Sequence, residues 1–486
     1  MARNNRQGWT LLEWRPGQRM IERVIEGFLR LPVRAFAGAV AAGLLVGVFA
    51  IGLSPLRPKP FSDGYFHEEA KGLVRAMRGG DQRLATPLIH SPGPAYYYAF
   101  PYLLIPEPAG DSARWAVGVA WNCMWLWAAA LWLGGAARRV GGELAARLAI
   151  LGVPVTFFPL YYSAGIASET PAFAAAAGVT AAGIRWLACK RNEWNDAHRA
   201  AVAVTIALGA LLAMRGNFVL TAPLLVLAGM LTRSRKAAVE SVVIAIGGVL
   251  LAGAVFWGTA RLNAGMGAQT RQDSFLTHIL IQGAFQYRSE PLDWRPWEKE
   301  AREGSRDYAA YAAVRAQLST RQSSTGLPLA VVEWQWLKDS WMSDPLAWLR
   351  MAPLKAASAL WFRISPVRIE KHLGGGRKGA AAAFVISAVL NAPVLVMLFV
   401  AMAYSFGRKG APAAEKLMCW GPFLAGLIFV AFTYSEPRYV VPGFGGLAVL
   451  AGCAMARKLE RGPGSGAGCI GGSRGSSVRQ RLEECR

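Results

Sequence analysis

Residues 35–53 read Ala35-Phe-Ala-Gly-Ala-Val-Ala-Ala-Gly-Leu-Leu-Val-Gly-Val-Phe-Ala-Ile-Gly-Leu53, without a charge or a hydrogen-bonding side chain. A run of this length is what an α-helix needs to cross the hydrocarbon core of a bilayer. It is followed by Pro60-Phe-Ser-Asp63-Gly-Tyr-Phe-His67-Glu68-Glu69, a short amphipathic run to Gly80, and Ser91-Pro-Gly-Pro-Ala-Tyr-Tyr-Tyr98. A second apolar run, 113–134, comes after that. A polar, acidic, aromatic and proline-rich loop therefore lies between two membrane helices. Carboxylates so near a bilayer are penalised by transfer out of water, and a simple connector has no need of them.

The rest of the chain agrees with this reading. Of 486 residues 53% are hydrophobic and 17% charged, below the quarter or so usual for soluble domains. The apolar residues collect in long runs, with spans expected at 35–54, 113–135, 146–163, 168–188, 199–214, 217–231, 238–258, 380–405, 416–433 and 438–456. The fold class is an all-α polytopic membrane protein of about ten transmembrane helices, with two external loop regions carrying short interfacial helices.

The net charge of +23 is spread over short loops and not gathered on one domain, which argues for topology control and against nucleic acid as a partner. With the N-terminus in the cytoplasm, the basic groups Arg138/Arg139/Arg147, Lys190/Arg191/Arg199, Arg233/Arg235/Lys236, Arg408/Lys409/Lys416 and Arg457/Lys458/Arg461 all fall inside. This parity requires 346–364, interrupted by Arg350, Lys355 and Arg363, to lie flat on the outer interface. Five parts follow: a cytoplasmic amphipathic segment 1–34, a transmembrane core 35–258 with first external loop 55–112, an external cap 259–379, transmembrane helices 380–456, and a disordered cytoplasmic tail 457–486. The cap is expected to carry helices near Arg306–Leu318 and Leu329–Trp341 and a turn at Trp294–Trp297. Seven Arg precede residue 35, but no small-residue cleavage site follows the apolar run, so the first span is expected to be retained. The six Cys show no metal spacing and no pairing in an external loop, and no structural disulfide is expected.

The candidate chemistry gathers at the outer ends of the spans. Asp63 follows Pro55, Pro58 and Pro60, and a carboxylate held there suits a general base towards a hydroxyl or amine; its bland alternative is an N-cap for the next helix. His67, Glu68 and Glu69 invite a metal, but adjacent helical residues diverge, and a solvated helix face with Glu68 or Glu69 assisting Asp63 is preferred. Glu169, in Ser168-Glu-Thr-Pro171, sits at the mouth of a span, with Ser168 expected as helix cap and the helix dipole as the plain reason for the acid. Arg215 interrupts an apolar stretch at a short external turn, and Glu436-Pro-Arg438-Tyr439 opens the last span. Arginine forks suit phosphate, whereas interfacial snorkelling is the alternative. Tyr97 lies in an aromatic element that lines a groove for a lipid chain, stacks on a sugar, or forms an interface belt.

Taken together, these elements resemble the GT-C glycosyltransferases, in the branch of the protein mannosyltransferases and the aminoarabinose lipid A transferase. The shared elements are the first-loop Asp63, Pro92-Gly-Pro-Ala-Tyr-Tyr97, Ser168-Glu169, Arg215, Asp344-Pro-Leu-Ala-Trp-Leu-Arg350 and Glu436-Pro-Arg-Tyr-Val-Val-Pro442. The resemblance spans 35–456. Gly64 stands where many relatives carry a second acid. It implies inverting transfer of a sugar from a polyprenyl-phosphate donor at the outer face of the inner (plasma) membrane. Asp63 would be the base, and Arg215, Arg438 and Tyr439 would lie near the donor phosphate. The acceptor is left open among glycolipid, polymer and protein. No cofactor is required by that scheme, a divalent cation being the lesser alternative. From the residues alone a transporter or flippase of a lipid-linked saccharide competes, although it calls for charge near mid-bilayer.

Overall fold

The computed structural model describes Gly27 and residues 31–54, 64–79, 92–106, 109–189, 194–265, 275–290, 304–361, 377–407, 411–433 and 435–461. All regular structure among these is helical. In chain order the helices are α1 (Val33–Leu53), α2 (Gly64–Met77), α3 (Gly93–Tyr102), α4 (Asp111–Val155), α5 (Phe157–Ser163), α6 (Glu169–Ala188), α7 (Trp194–Met214) and α8 (Thr221–Leu231). They continue with α9 (Arg235–Gly265), α10 (Phe275–Phe285), α11 (Arg306–Thr325), α12 (Leu329–Ser343), α13 (Pro345–Ala359), α14 (Arg377–Phe406), α15 (Ala413–Phe432) and α16 (Phe444–Arg461). The N-terminal segment up to residue 26, the Trp294–Trp297 turn and the tail beyond 461 lie outside the described residues.

Six of these helices are long and apolar enough to cross a bilayer: α1, α4, most of α7 and α9, and α14 and α15. The chain is a polytopic membrane protein. In α1 the reason is visible residue by residue. Phe36, Val40, Leu44 and Val48 recur at i+4 and are buried, while Leu45, Val46 and Leu53 on the other faces are exposed. An apolar side chain exposed on a helix that is apolar all round is what lipid, not water, accommodates.

The difference from ten expected spans has structural causes. The runs 113–135 and 146–163 fall on two limbs that α4 carries as one element: the backbone leaves the helical conformation at Gly142 and folds back, so that a Cβ on Gly134 would lie 2.5 Å from Ile150 Cγ1. At Gly142 φ is +85°, in the region where a side chain is penalised, and the two limbs change direction at that residue. Helix α6 is alanine-rich, with Ala172, Phe173, Ala176, Ala177 and Ile184 packed inside the bundle, so it needs little lipid-facing apolar surface. Helix α8 has 11 residues and is entered through a 3₁₀ turn, Gly216–Phe218. The run 438–456 likewise begins with two 3₁₀ turns before α16. Small residues let these helices approach closely, which is how packing replaces the hydrophobic effect between membrane helices.

Two satellite clusters sit beside the main core. One joins α2 and α3 through Phe66, Leu73, Tyr98 and Tyr102. The other joins α10 to α13 through Phe285, Tyr311, Val332, Leu337 and Trp348. Both expected cap helices are present and longer than anticipated, as α11 and α12. Helix α13 covers most of 346–364 and has 15 residues. At about 1.5 Å per residue it falls short of a hydrocarbon core of about 30 Å.

A groove of about 850 Å³ runs along the bundle between α4, α6 and α7. Tyr97, Pro171 and Met214 lie at one end and Arg139, Arg185 and Arg199 at the other.

Candidate functional site

Arg215 is the centre of the best-defined polar cluster. It follows the last residue of α7 and caps the 3₁₀ turn Gly216–Phe218, and its side chain is 93% shielded. The guanidinium pairs with the buried Glu169 carboxylate, and its Nε and Nη2 donate to Ser168 Oγ at 3.0 and 2.8 Å. Nη1 reaches the backbone carbonyl of Arg438 at 3.4 Å. The Tyr439 ring lies between two cations, 5.2 Å from the Arg215 guanidinium and 5.4 Å from that of Arg438. Arg438 Nε is 2.7 Å from Glu436 Oε2, and both side chains remain about a quarter to a third exposed. Three remote segments, 168–169, 215 and 436–439, therefore meet. Glu169, Arg215, Arg438 and Tyr439 are brought together.

Ser168 departs from expectation. It holds the N-cap position of α6, yet its backbone is helical (φ −79°, ψ −12°) and its hydroxyl makes no cap hydrogen bond. The oxygen instead accepts from Arg215. A buried guanidinium needs acceptors around it, and one that arrives from 47 residues away is invisible to local capping rules.

Helix α3 holds this corner from below. The Tyr97 hydroxyl donates to Asn122 Oδ1 at 3.1 Å, and Asn122 Nδ2 donates to the carbonyls of Ser163 and Gly165 at 3.2 and 3.0 Å. Tyr98 donates to Ala167 O at 2.7 Å and accepts from Ala167 N at 3.0 Å. The loop leading into Ser168 and Glu169 is thereby fixed by two tyrosines and one buried asparagine. Tyr97 thus acts on the site through Asn122. Gly93 lets α3 approach: a Cβ there would lie 2.7 Å from Ala213 O, two residues before Arg215.

The His67-Glu68-Glu69 segment is not a solvated helix face. His67 and Glu69 are buried, at 2% and 0% exposure, and only Glu68 is half-exposed. His67 Nδ1 lies 3.0 Å from the Tyr102 hydroxyl and Nε2 3.1 Å from Asp111 Oδ1. Burial holds the imidazole below its usual 6.5, against the pull of Asp111 in the other direction. Lys71 bridges Glu68 and Asp111 at 3.0 and 3.4 Å. Helix α2 is thus anchored to the start of α4, and Asp111, which begins a long apolar run, carried no sequence signal for this role. Asp63 itself lies outside the described residues. Among the described residues no three His, Cys, Asp or Glu side chains gather in the manner of a metal centre.

Residues after α10 and on α13 hold the segment that leads into this cluster at Ser435. Ser435 N donates to Gln286 Oε1 at 2.6 Å, Gln286 Nε2 donates to Ser435 O at 3.1 Å, and Ser435 Oγ donates to Lys355 O at 2.6 Å. Ser435 immediately precedes Glu436.

No family model matches the chain, and no curated protein matches it. Among solved structures it is similar to the archaeal oligosaccharyltransferase AglB from Archaeoglobus fulgidus, in complex with an inhibitory peptide and a dolichol-phosphate. Identity is 13% and the TM-score 0.44, over 91% of this chain and 53% of that one. It is also similar to ArnT from Cupriavidus metallidurans bound to undecaprenyl phosphate, at 12% identity and a TM-score of 0.40, over 88% and 79% of the two chains. The chain spans about half the length of AglB. Overlaps this shallow add no weight to an activity for this chain.

Proposed function

We propose that the protein is a membrane glycosyltransferase that moves a sugar, with inversion, from a polyprenyl-phosphate donor to an acceptor at the outer membrane face. The observation that carries this reading is the meeting of Glu169, Arg215, Arg438 and Tyr439 from three remote segments. Arg215 is saturated by Glu169 and Ser168 and acts as the positioning cation. Arg438, the more exposed guanidinium, is the one assigned to the donor phosphate, where two charge-assisted hydrogen bonds stabilise the leaving group. Asp63, one residue before α2 in the sequence, takes the proton of the acceptor hydroxyl or amine. The acceptor atom then attacks the anomeric carbon from the face opposite the phosphate, the bond from that carbon to the phosphate oxygen breaks, and polyprenyl phosphate leaves with the electron pair. The anchored α2 and the cap over Ser435 would bound the acceptor side. The cytoplasmic placement of both termini and the inner-membrane location belong to the same reading.

Translocation of a lipid-linked saccharide is the weaker alternative. Between its two ends the groove is lined by Ala, Gly, Ile, Leu and Trp, with no polar side chain to carry a sugar across.

The test is transfer of radiolabelled sugar from a polyprenyl-phosphate donor in reconstituted vesicles. Asp63→Asn is expected to abolish transfer with the thermal unfolding curve unchanged, and Arg438→Gln to lower it at least tenfold. A fully active Asp63→Asn protein would refute the assignment.

A further inference from the structure

We infer that the groove between α4, α6 and α7 binds an anionic phospholipid, one acyl chain lying along the groove and the phosphate held by Arg139, Arg185 and Arg199. The register of the three helices is the first argument. Fourteen residues separate Trp125 from Arg139 on α4, fourteen separate Pro171 from Arg185 on α6, and fifteen separate Met214 from Arg199 on α7. At about 1.5 Å per residue, each interval is about 21–22 Å. Three arginines from three helices therefore reach one level and face one channel, and the opposite ends also align, at Tyr97. The groove is longer than one leaflet's share of a hydrocarbon core about 30 Å thick, which suits an extended chain.

The walls are the second argument. Gly135, Ala174, Gly178, Ala203 and Ala207 line it, and side chains this short leave a slot that no protein group fills. An apolar slot opening to the bilayer is filled by lipid chains, which pack against its walls where no protein side chain does.

Charge chooses the lipid. The arginines are the sole charged residues of the lining, and all three stand at the same end. Among the described residues Arg139 and Arg199 meet no carboxylate, and Arg185 has only a half-exposed contact at 3.5 Å with Asp196. An anionic headgroup is drawn to each basic residue near it, whereas a zwitterionic one brings its own cation into the cluster. The polarity also separates this site from the donor site. The outer end, by Tyr97 and Met214, has no cation in its lining, so a lipid seated in the groove puts its phosphate at the far end from Arg215.

The experiment measures retained lipid, not transfer, and is therefore independent of the enzymatic reading. Protein is reconstituted into vesicles of phosphatidylglycerol or of phosphatidylcholine, re-extracted in mild detergent, and its bound lipid counted by mass spectrometry. About one phosphatidylglycerol per chain is expected, at least fivefold more than phosphatidylcholine. The Arg139→Ala/Arg199→Ala protein should retain the two lipids equally. Ala203→Phe, which fills the slot one turn from Arg199 and leaves the arginines intact, should also lose phosphatidylglycerol. Equal retention of both lipids by the unaltered protein overturns the proposal. So does phosphatidylglycerol retention that survives the arginine substitutions, or that survives Ala203→Phe.

Discussion

Glu169 and Arg215 form an ion pair at 1% and 6% exposure, so each is there only because the other is. Removing one partner leaves a buried charge alone, which typically destabilises by about 3–5 kcal/mol. Glu169→Gln should therefore lower the unfolding temperature markedly, while Ser168→Ala, which removes one acceptor, should lose about 1–2 kcal/mol; differential scanning fluorimetry in detergent separates the two. Both charges were legible in the sequence, because a lone charge interrupting an apolar run needs a reason. Ser168 was not, because Ser before Glu-Thr-Pro carries the signature of a cap and nothing local announces a distant guanidinium. His67 and Glu69 were misread for a related reason. A His-Glu-Glu triplet looks solvated until Asp111 and Tyr102 arrive from elsewhere to cover it.

At the scale of elements, α13 carries the least comfortable residue in the cap. Lys355 is fully buried over the Trp348 ring, and burial lowers its amine from 10.5 to about 7. The unfolded chain keeps that proton up to about 10.5. Between pH 7 and 10.5 the unfolded state thus binds more protons, and stability rises with pH across that window; below pH 7 the charged amine exerts its full penalty. Lys355→Met should be more stable than the parent at pH 7 by on the order of 2 kcal/mol, and the gap should narrow by pH 9.5 in paired thermal melts. On α4, Asn122 joins Tyr97 to the Ser163–Gly165 carbonyls. Asn122→Leu leaves those groups unpaired and should lower transfer through the displaced Glu169 loop, whereas Asn122→Gln should recover part of it. Helix positions were read well wherever an apolar run or a 3.6-residue pattern is long, as in α1, α11 and α12. Run length separated 113–135 from 146–163 but could not locate the residue at which one limb folds back on the other, because that depends on the backbone of Gly142.

For the whole molecule, the all-helical membrane-spanning architecture follows from hydropathy, because lipid leaves the backbone few other choices, although run length gave ten spans where six described helices are long and apolar enough to cross. Orientation rests on the distribution of arginine and is open to a direct check. In a protein lacking Cys469 and Cys485, Ser324→Cys on the exposed end of α11 should react with a membrane-impermeant maleimide in intact cells. Glu460→Cys at the end of α16 should react only after permeabilisation. The reverse pattern would invert the proposed arrangement and put the arginine cluster of the groove on the outer face.

The three hydrogen bonds at Ser435 tie two parts of the molecule that the sequence keeps far apart. Gln286 and Lys355 grip a residue three places ahead of Arg438. Under the proposed function, in which Arg438 holds the donor phosphate, this grip would couple α10 and α13 to the phosphate. A shift of those helices that admits an acceptor would loosen the hold, and a bound anion would resist the shift, so that donor would arrive first and acceptor second.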